Sequence, residues 1–448
     1  MCGLLVTNKN VSTKEADNEF LCQRGPDKFQ YKSINDITFI HTLLSITGEV
    51  TPQPLTSEDV VFLYNGEIYN YNLEKNYDSD GYFVIDSYLN EGDSFIHKLD
   101  GEFALVIVDF RKSKIIFSTD VFGTKPLYKS IEKDKFGFSS YMQSLKNAGF
   151  KNIEKCKPNT FITLDLESLN VIQEKKVKTF NLEQSKDNFD DWNEAFINSI
   201  KKRFLNLNYD ILLPLSSGHD SGIIACCFEM LDIKFDSFSF IGNEDKSILM
   251  DRLKRKRDNW NDEVLTIEQE ALDNEQRDKV ISYLKNNCEE FFYGPDIINQ
   301  NSQLSGFDDP GAHGLTFILG QVKERNNNFR ILASGQGGDE IYSNMQNYHF
   351  GNPNPKRFPR RLSKVFPWEN FFYGAQSSYL GKEENIGGSY GIETRYPLLD
   401  FYVVQEYISL TRKLKNKQYK SPISNFLKLH NYPYLTGNPL NIKKGFNV

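Results

Sequence analysis

The chain has 448 residues, and the usual size of roughly 150 residues per domain indicates at least two domains. Its composition, with 39% hydrophobic, 25% charged and 14% aromatic residues, is typical of a folded globular protein and excludes a largely disordered chain. The net charge of −7 argues against general affinity for a phosphate backbone, so no nucleic-acid partner is expected.

The six cysteines lie far apart or directly adjacent, without the CxxC pairs of a zinc site or the density of a disulfide scaffold. They are Cys2, Cys22, Cys156, Cys226, Cys227 and Cys288. The start of the chain lacks the pattern of a signal peptide, and no run of about 18 apolar residues occurs. We therefore expect a cytoplasmic protein in a reducing compartment, with no membrane partner.

The first half of the chain, residues 1–182, is predicted to be mostly β-structure. Short aromatic or β-branched runs separated by Gly, Asp, Asn and Lys occupy residues 62–71, 101–110, 113–122 and 159–168. This spacing indicates layered antiparallel sheets. A charged segment follows, and then Phe189, Trp192, Phe196 and Ile200 recur at helical spacing, which predicts a domain boundary near residue 183.

The second half, residues 183–448, is predicted to be α/β. Residues 209–231 read as a buried strand, a polar turn and a helix, and residues 235–242 and 328–335 as further strands of parallel-sheet character. The charged stretch at residues 243–263 is interpreted as a solvated helix or a mobile loop.

The first chemical signal is Cys2, which follows the initiator Met. Removal of that Met would leave a thiol and a free α-amino group on one residue. An α-amino group titrates near roughly 7.7–8.0, so it can accept the thiol proton, and the thiolate can attack an amide carbonyl. A cysteine at position 2 is more often incidental, so this feature has little weight alone.

Four further motifs accompany Cys2 in the first half: RGPD (Arg24 to Asp27), NGEIYN (Asn65 to Asn70), Ser79-Asp80, and DVFGTKPLY (Asp120 to Tyr128). With them the sequence resembles the class II glutamine amidotransferases. The resemblance implies an Ntn-hydrolase αββα sandwich, an oxyanion hole formed by Asn65 and Gly66, and binding of the glutamine α-amino group by Glu67 and Asp80. Turn and loop readings of NGE and RGPD remain the alternative.

One position departs from that family. Relatives usually carry an arginine before Leu-Ser-Ile that pairs with the α-carboxylate of glutamine, whereas this chain has Leu43. A leucine cannot neutralise a carboxylate. The departure predicts weaker glutamine binding, another cation in its place, or loss of glutamine use.

The polar turn of the second half is LPLSSGHDSG, residues 213–222, between a strand and a helix. Small residues there present backbone N–H groups to an anion at the positive helix end. The turn resembles the SGGxDS pyrophosphate loop of ATP pyrophosphatases, although Ser217 replaces a glycine. The resemblance implies a parallel-sheet, PP-loop (adenine nucleotide alpha-hydrolase-like) domain and ATP binding by Leu215, Ser216, Ser217, Gly218, Asp220 and Ser221. A serine-rich turn that binds no nucleotide is the alternative.

A second signature, ASGQGGDEIYS at residues 333–343, resembles SGxGxDE of the same family and adds Ser334, Gly335 and Gln336 to the expected ATP site. Asp220 and Asp339 would then hold Mg²⁺, which prefers oxygen ligands. Many relatives have Glu where Gln336 stands. Gln cannot handle a proton, so another group does so or ammonia arrives neutral.

A third signature, SYGIETRYPLLD, resembles the acceptor-site element of the asparagine synthetases. The resemblance makes Glu393, Arg395 and Asp400 candidates for the acceptor site. A purely structural charge network is the equal alternative. Lys420 matches a family lysine that balances charge on the adenylate and pyrophosphate, with Lys417 as a competing candidate. The terminal IKKGFNV resembles the family's KxGF element.

Together the motifs resemble the glutamine-hydrolysing asparagine synthetase family over nearly the whole chain. The resemblance implies a carbon–nitrogen ligase that hydrolyses glutamine at Cys2, passes ammonia through an internal channel, and adenylates an unidentified carboxylate with ATP and Mg²⁺. It also allows a homodimer. Leu43 and Gln336 keep open a β-lactam or lasso-peptide type of synthetase that does not use glutamine, and a non-catalytic storage or scaffold relative is the remote alternative.

Overall fold

The computed structural model describes residues 2–11, 19–73, 75–242, 244–260, 264–293, 304–326, 328–343, 355 and 357–436. The terminal IKKGFNV element lies outside these residues. The chain divides into two compact units. The first contains Met1–Thr179, Asn287–Glu289 and Gly387–Glu393, and the second contains Phe180–Asn286, Glu290–Ile386 and Thr394–Val448.

The first unit contains two six-stranded sheets in which the strands pair antiparallel. Its strands are β1 (Gly3–Thr7), β2 (Lys28–Ile34), β3 (Ile37–Leu43), β4 (Leu55–Ser57), β5 (Val60–Ile68), β6 (Gly101–Asp109), β7 (Lys114–Thr119), β8 (Tyr128–Glu132), β9 (Lys135–Ser139), β10 (Glu154–Lys155), β11 (Thr160–Asp165) and β12 (Val171–Lys176). Its helices are α1 (Glu19–Arg24), α2 (Asp80–Glu91) and α3 (Met142–Asn147), with a 3₁₀ helix at Gly92–His97. The sheet orders are β10-β8-β9-β1-β3-β2 and β12-β11-β7-β6-β5-β4.

The two sheets pack face to face with helices outside them. Leu4 and Phe39 of the first sheet meet Leu63 and Val106 of the second in one apolar layer. Helices α1 and α3 cover the other face of the first sheet, and α2 covers the other face of the second. Because successive side chains of a strand point to opposite faces, each strand contributes to both layers. The predicted αββα sandwich is confirmed.

The four strands predicted from aromatic and β-branched runs are confirmed as β5, β6, β7 and β11, and all four belong to the second sheet. The first sheet was not anticipated strand by strand. Its edge strand β2 has the sequence KFQYKSI and is largely exposed, so it carries little of the hydrophobic signal that identifies a strand.

The second unit is built around a parallel sheet. Its strands are β13 (Asp210–Pro214), β14 (Asp236–Phe240), β15 (Thr266–Gln269), β16 (Phe292–Tyr293), β17 (Leu304–Ser305), β18 (Phe329–Ala333) and β19 (Glu393–Arg395, which begins in the first unit). Its helices are α4 (Asp190–Phe204), α5 (His219–Met230), α6 (Lys246–Trp260), α7 (Asn274–Asn287), α8 (Pro310–Arg325), α9 (Gly338–Tyr342), α10 (Glu369–Phe372), α11 (Ala375–Ser389), α12 (Phe401–Ser409), α13 (Arg412–Lys415) and α14 (Ser421–Leu429). Short 3₁₀ helices occupy Gly306–Asp308, Leu362–Lys364 and Pro397–Leu399.

The order of the central sheet is β15-β14-β13-β18-β19, and β13 pairs parallel with both β14 and β18. The carboxyl ends of β13 and β18 therefore meet at one edge, where ligands of open α/β sheets usually bind. The loop after β13 carries LPLSSGHDSG, and the loop after β18 carries ASGQGGDEIYS. The predicted α/β fold class of this half is confirmed.

The charged stretch at residues 243–263 contains helix α6, so the prediction of a helix is confirmed. The expectation that it is solvated is wrong for one of its faces. Arg252 and Lys256 are fully buried there, together with Leu249 and Leu253. None of the helices in the described ranges is long and apolar enough to cross a membrane.

Candidate active sites

Cys2 directly precedes β1 in the first unit and is buried. Only 6% of the residue is exposed. Burial raises the pKa of the Cys2 thiol to about 11, while a hydrogen bond from the backbone of Leu44 acts in the opposite direction. The thiol is therefore protonated at neutral pH unless a base removes its proton, so nucleophilic attack requires a base next to the sulfur.

Asn65 connects the second sheet to this cysteine. The Cys2 backbone nitrogen donates a hydrogen bond of 2.8 Å to Asn65 Oδ1. The other end of the same amide, Nδ2, is buried and has no hydrogen-bond partner among the described residues. An unsatisfied buried N–H group costs about 1–3 kcal/mol, so a ligand oxygen placed beside Asn65 would recover that free energy. This is the arrangement that an oxyanion hole requires.

Gly66 follows Asn65 in β5 and has a φ of 140°. A Cβ atom added at this position would lie 1.9 Å from the carbonyl oxygen of Glu102, in the neighbouring strand β6. Only a residue without a side chain fits, and its conformation sets the direction of the N–H group beside Asn65.

We expect Gly66→Ala to destabilise the first unit by at least about 2–3 kcal/mol, because the strained φ and the contact with Glu102 add together. Gly92→Ala is the matched control: Gly92 also has a positive φ of 60°, but an added Cβ would meet no heavy atom within 4 Å. Its cost should be about 1 kcal/mol. Urea unfolding of the two variants measures the difference, and equal losses would show that the contact with Glu102 is unimportant.

Two carboxylates lie near Cys2 in the first unit. Glu67 accepts a hydrogen bond from Thr47, and Asp80 accepts one from the Tyr64 hydroxyl and one of 2.9 Å from the backbone of Ile68. Burial raises the pKa of Asp80 above its usual value and, together with both carboxylates, raises that of Tyr64. The structure thus brings Cys2, Asn65 and Gly66 into one region with two acidic groups, which can attract a substrate ammonium.

The motifs flanking this site hold it in place. Arg24 Nε donates a hydrogen bond of 3.0 Å to the carbonyl oxygen of Cys2. The Asp120 side chain accepts hydrogen bonds from the backbone of Phe103, Phe122 and Thr124, which shapes the loop after β7. Arg24 of RGPD therefore contacts the backbone of the cysteine itself, whereas Asp120 of DVFGTKPLY orders the loop after β7.

In the second unit, the loop after β13 is closed by its own serines. Ser221 Oγ lies 2.8 Å from Ser216 Oγ and accepts a hydrogen bond of 3.1 Å from the Ser216 backbone. The Gly218 backbone donates to Ser216 Oγ at 3.1 Å. Helix α5 begins one residue later, so the loop lies at the positive end of a 12-residue helix, a site suited to phosphate groups.

Asp220, Asp339 and Lys420 form a charged cluster beside this loop. Lys420 Nζ lies 2.7 and 2.6 Å from the two oxygens of Asp220 and 3.0 Å from Asp339 Oδ1. Burial lowers the pKa of Lys420, but the carboxylates outweigh it and the net pKa lies well above its usual value. Lys420 has a left-handed backbone conformation, which is costly for a residue other than glycine and is frequent at functional sites.

The loop after β18 packs directly against Asp220. A Cβ atom at Gly338 would lie 2.0 Å from Asp220 Oδ1, and one at Gly335 would lie 2.7 Å from Asp220 Cβ. The Gln336 backbone donates to Ser334 Oγ at 3.1 Å. The glycines of this signature thus allow residues more than 100 positions apart in sequence to meet, as adjacent parallel strands predict.

Comparisons with known proteins show what each half of the chain is similar to. A family model described as "Glutamine amidotransferase domain" matches residues 1–181. A probable glutamine-hydrolysing asparagine synthetase of Acanthamoeba polyphaga mimivirus is 26% identical over 437 residues, covering 88% of this chain and 74% of the relative. The asparagine synthetase of Mesocricetus auratus is 24% identical and covers 93% and 78%, and a putative one of Methanocaldococcus jannaschii is 24% identical and covers 94% and 77%. The chain thus contains a glutamine amidotransferase domain and is similar to glutamine-hydrolysing asparagine synthetases over about nine-tenths of its length.

The two residues at which the sequence departs from the motifs it resembles, Leu43 and Gln336, both lie in the described part of the chain. Leu43 is 6% exposed at the end of β3 and offers no charge. Gln336 follows Gly335 in the second loop, and its buried Nε2 atom has no hydrogen-bond partner in the described part of the chain. Glu340, which completes this signature, accepts a hydrogen bond of 3.2 Å from the Gly337 backbone, and burial raises its pKa to about 7.

The residues of the third signature fall in both compact units. Glu393 belongs to the first unit, where its charge raises the pKa of Cys2. Arg395 and Asp400 belong to the second unit, and both contact Arg203: Arg395 donates to its carbonyl oxygen, and Asp400 accepts from its guanidinium at 2.8 Å.

Asp400 also pairs with Lys202 and accepts a hydrogen bond of 2.9 Å from Tyr402 N at the start of α12. Against the effect of burial, these two cations hold the pKa of Asp400 at about 2. A carboxylate engaged in this way supports the structural interpretation of Asp400.

Sequence reasoning missed two residues that hold the loop after β13. Arg252 donates a hydrogen bond of 2.8 Å to the Gly218 carbonyl and another to that of Ser216, and Glu244 accepts one of 2.6 Å from the backbone of Ser217. Both lie in or next to the charged stretch, where charge density masks the few buried positions. Lys417 is exposed, whereas Lys420 is 2% exposed and contacts Asp220, which favours Lys420 between these candidates.

Proposed function

We propose that the chain is a glutamine-dependent, ATP-consuming amidotransferase that adenylates an acceptor carboxylate and converts it to an amide. The observation that carries the proposal is the presence on one chain of two prepared sites. The first is Cys2, whose backbone nitrogen is bound by Asn65 with its unpartnered Nδ2, and the second is the serine loop beside the Asp220, Lys420 and Asp339 cluster. The first suits acyl transfer and the second suits transfer of a nucleotidyl group.

In the glutaminase half, Cys2 is the nucleophile once the preceding Met is removed. Its nitrogen, held by Asn65 Oδ1, then becomes an α-amino group that takes the thiol proton. The thiolate attacks the amide carbon of glutamine, and the resulting oxyanion accepts hydrogen bonds from Asn65 Nδ2 and the Gly66 N–H. The C–N bond breaks, and the nitrogen takes the proton held by the α-amino group and leaves as ammonia. Water then hydrolyses the thioester to glutamate.

In the synthetase half, a carboxylate oxygen of the acceptor attacks the α-phosphorus of ATP. The bond to the bridging oxygen breaks, and pyrophosphate leaves toward the N–H groups of the serine loop and the start of α5. Lys420 supplies positive charge to the groups that become more negative. Ammonia then attacks the acyl carbon, and AMP leaves with the electron pair of the cleaved C–O bond.

Asp220 and Asp339 would hold Mg²⁺ on the triphosphate. Both carboxylates contact a single ammonium nitrogen at 2.6–3.0 Å, so their oxygens are close enough to share one small cation. Two carboxylates completed by phosphate oxygens and water is a ligand set that Mg²⁺ prefers, and the residues fit the ion. Bound there, it would draw negative charge from the leaving pyrophosphate.

The acceptor remains the open part of the proposal. The similarity to asparagine synthetases makes aspartate the first carboxylic acid to test, and Glu393 and Arg395 stay candidates for an acceptor site. A cytoplasmic location, expected from the cysteine pattern, and a homodimer, which the resemblance allows, are further parts of the proposal.

The glutamine-independent synthetase is disfavoured by the intact first site. A chain that no longer used glutamine would have no need for the precise placement of Asn65, Gly66 and the two carboxylates around Cys2. The buried Lys420 between two carboxylates likewise disfavours a non-catalytic scaffold, because such a cluster costs desolvation free energy without a ligand.

The decisive experiment supplies glutamine labelled with ¹⁵N in its side-chain amide, with ATP, Mg²⁺ and a panel of carboxylic acids that includes aspartate. We expect a ¹⁵N-labelled amide of one acid, accompanied by AMP and pyrophosphate in equal amounts. An amide formed only from an added or internal amine would favour the glutamine-independent alternative. ADP and phosphate in place of AMP and pyrophosphate would exclude adenylation.

A further inference from the structure

Glutamine presents two opposite charges at its α-carbon. Glu67 and Asp80 can receive the ammonium, but the α-carboxylate needs a cation or several hydrogen-bond donors. Leu43, at the end of β3, supplies neither. Strand register, which the structure defines for β1, β2 and β3, shows which residues lie beside Leu43.

Register places three residues in one row across the first sheet. Gly3 pairs with Thr42 and Leu4 with His41, so Cys2 continues this pairing beside Leu43. On its other side, Leu43 pairs directly with Lys28 of β2. The Leu44 backbone hydrogen bond to Cys2 is consistent with this extension. The row is therefore Cys2, Leu43, Lys28.

All three side chains belong to the face that meets the second sheet. On β1 this face carries Leu4, and on β3 it carries Phe39, which is four residues before Leu43. On β2 it carries Ile34, six residues after Lys28, which packs against the same apolar layer. Since side chains alternate with a period of two, Cys2, Leu43 and Lys28 share the face of the Asn65 amide.

The distances suit glutamine. Directly paired residues have Cα atoms about 4.5–5.5 Å apart, so Lys28 lies about 10 Å from Cys2 between Cα atoms. With C–C bonds of about 1.5 Å, the four bonds from the side-chain amide carbon of glutamine to its α-carboxylate span about 5 Å. The flexible side chain of Lys28 is long enough to cover the rest of the distance between Cys2 and Lys28.

The ammonium group of Lys28 is also available to bind a carboxylate. It is exposed, and within the described ranges it has no ion pair and no side-chain hydrogen bond. Other cations near the site are engaged: Arg24 donates to the carbonyl oxygen of Cys2, and the buried Lys125 lies 3.6 Å from Glu102. An unpaired, exposed lysine one strand beyond Leu43 is thus the cation best placed to receive a carboxylate.

We propose that Lys28 binds the α-carboxylate of glutamine and so replaces the charge that Leu43 lacks. This inference rests on the proposed glutaminase function. It makes glutamine recognition depend on a lysine of the edge strand β2 and assigns the Lys28 ammonium a role in specificity rather than in the chemical step.

Steady-state glutaminase assays of Lys28→Ala test the proposal. We expect KM for glutamine to rise at least about 10-fold with little change in kcat, since one charge-assisted contact is lost. Lys32→Ala is the matched control, because Lys32 is an exposed lysine on the same face and strand, about 13 Å farther along it. KM for glutamine should be unchanged in Lys32→Ala. KM for ammonia in ammonia-dependent synthesis should be unchanged in both variants.

Two further measurements separate charge recognition from a structural effect. Glutamine α-amide, which lacks the carboxylate, should be used equally well by the wild type and by Lys28→Ala. Adding Leu43→Arg to Lys28→Ala should lower KM for glutamine again, because it restores a cation in the same row. An active wild type with an unchanged KM in Lys28→Ala would overturn this inference, whereas a wild type without glutaminase activity would overturn the proposed function itself.

Discussion

Cys2→Ala is expected to abolish glutamine-supported amide formation while synthesis from ammonia continues. The variant removes the atom that forms the thioester, and loss of a catalytic nucleophile lowers turnover on the order of 10³-fold or more. Cys2, Asn65 and Gly66 all belong to the first unit, so the adenylation chemistry proposed for the second unit should persist. The measurement compares amide formation with saturating glutamine and with a high concentration of an ammonium salt.

Thermal unfolding of the same variant is the control, because Cys2 is buried and its truncation could perturb the sheet. Cys2→Ser provides a second variant of nearly equal size. Loss of activity with both nitrogen sources in a folded variant would contradict the assignment of glutamine hydrolysis and carboxylate activation to separate sites.

Asp220→Asn and Asp339→Asn are each expected to lower ATP-dependent turnover by about 10²-fold or more, with either nitrogen source. Each substitution keeps the shape of the side chain and removes one of the two negative charges that surround Lys420. Glutamine hydrolysis without ATP should be retained. Release of pyrophosphate and of glutamate, measured in parallel, reports the two halves separately.

The effects of these two substitutions should overlap. Residues that act as one unit lose little more when both are removed, so the double variant should resemble either single one. Asp258→Asn is the control, since Asp258 is an exposed carboxylate on α6 and should leave turnover unchanged. Strictly multiplicative losses in the double variant would indicate that Asp220 and Asp339 act on different steps.

Part of the second site could be predicted because its geometry is local. Residues 209–231 read as strand, turn and helix, and the structure has β13, a serine-closed loop and α5 there. The hydrogen bonds that Ser216, Gly218 and Ser221 make with one another join residues at most five positions apart, so residue order alone brings them together. The same holds for Asn65 and Gly66, which are adjacent in β5.

Other contacts follow only from folding. Lys420 reaches Asp220 across 200 residues, and the choice of Lys420 over the equally basic Lys417 depends on which of them is buried. Arg252 looks like one charge among many in its helix, yet it is buried against the serine loop. Segments Asn287–Glu289 and Gly387–Glu393 belong to the first unit although the surrounding chain forms the second.

The sequence by itself determined the chemistry, because a thiol, a carboxamide, carboxylates and lysines are properties of residue type and were visible in motifs of short range. Tertiary structure decided which of these groups share a site. Strand register puts Lys28 in the row of Cys2 and Leu43, and sheet order joins the loops after β13 and β18. Register and sheet order depend on the burial of whole faces over many strands, a collective free energy that no single motif contains.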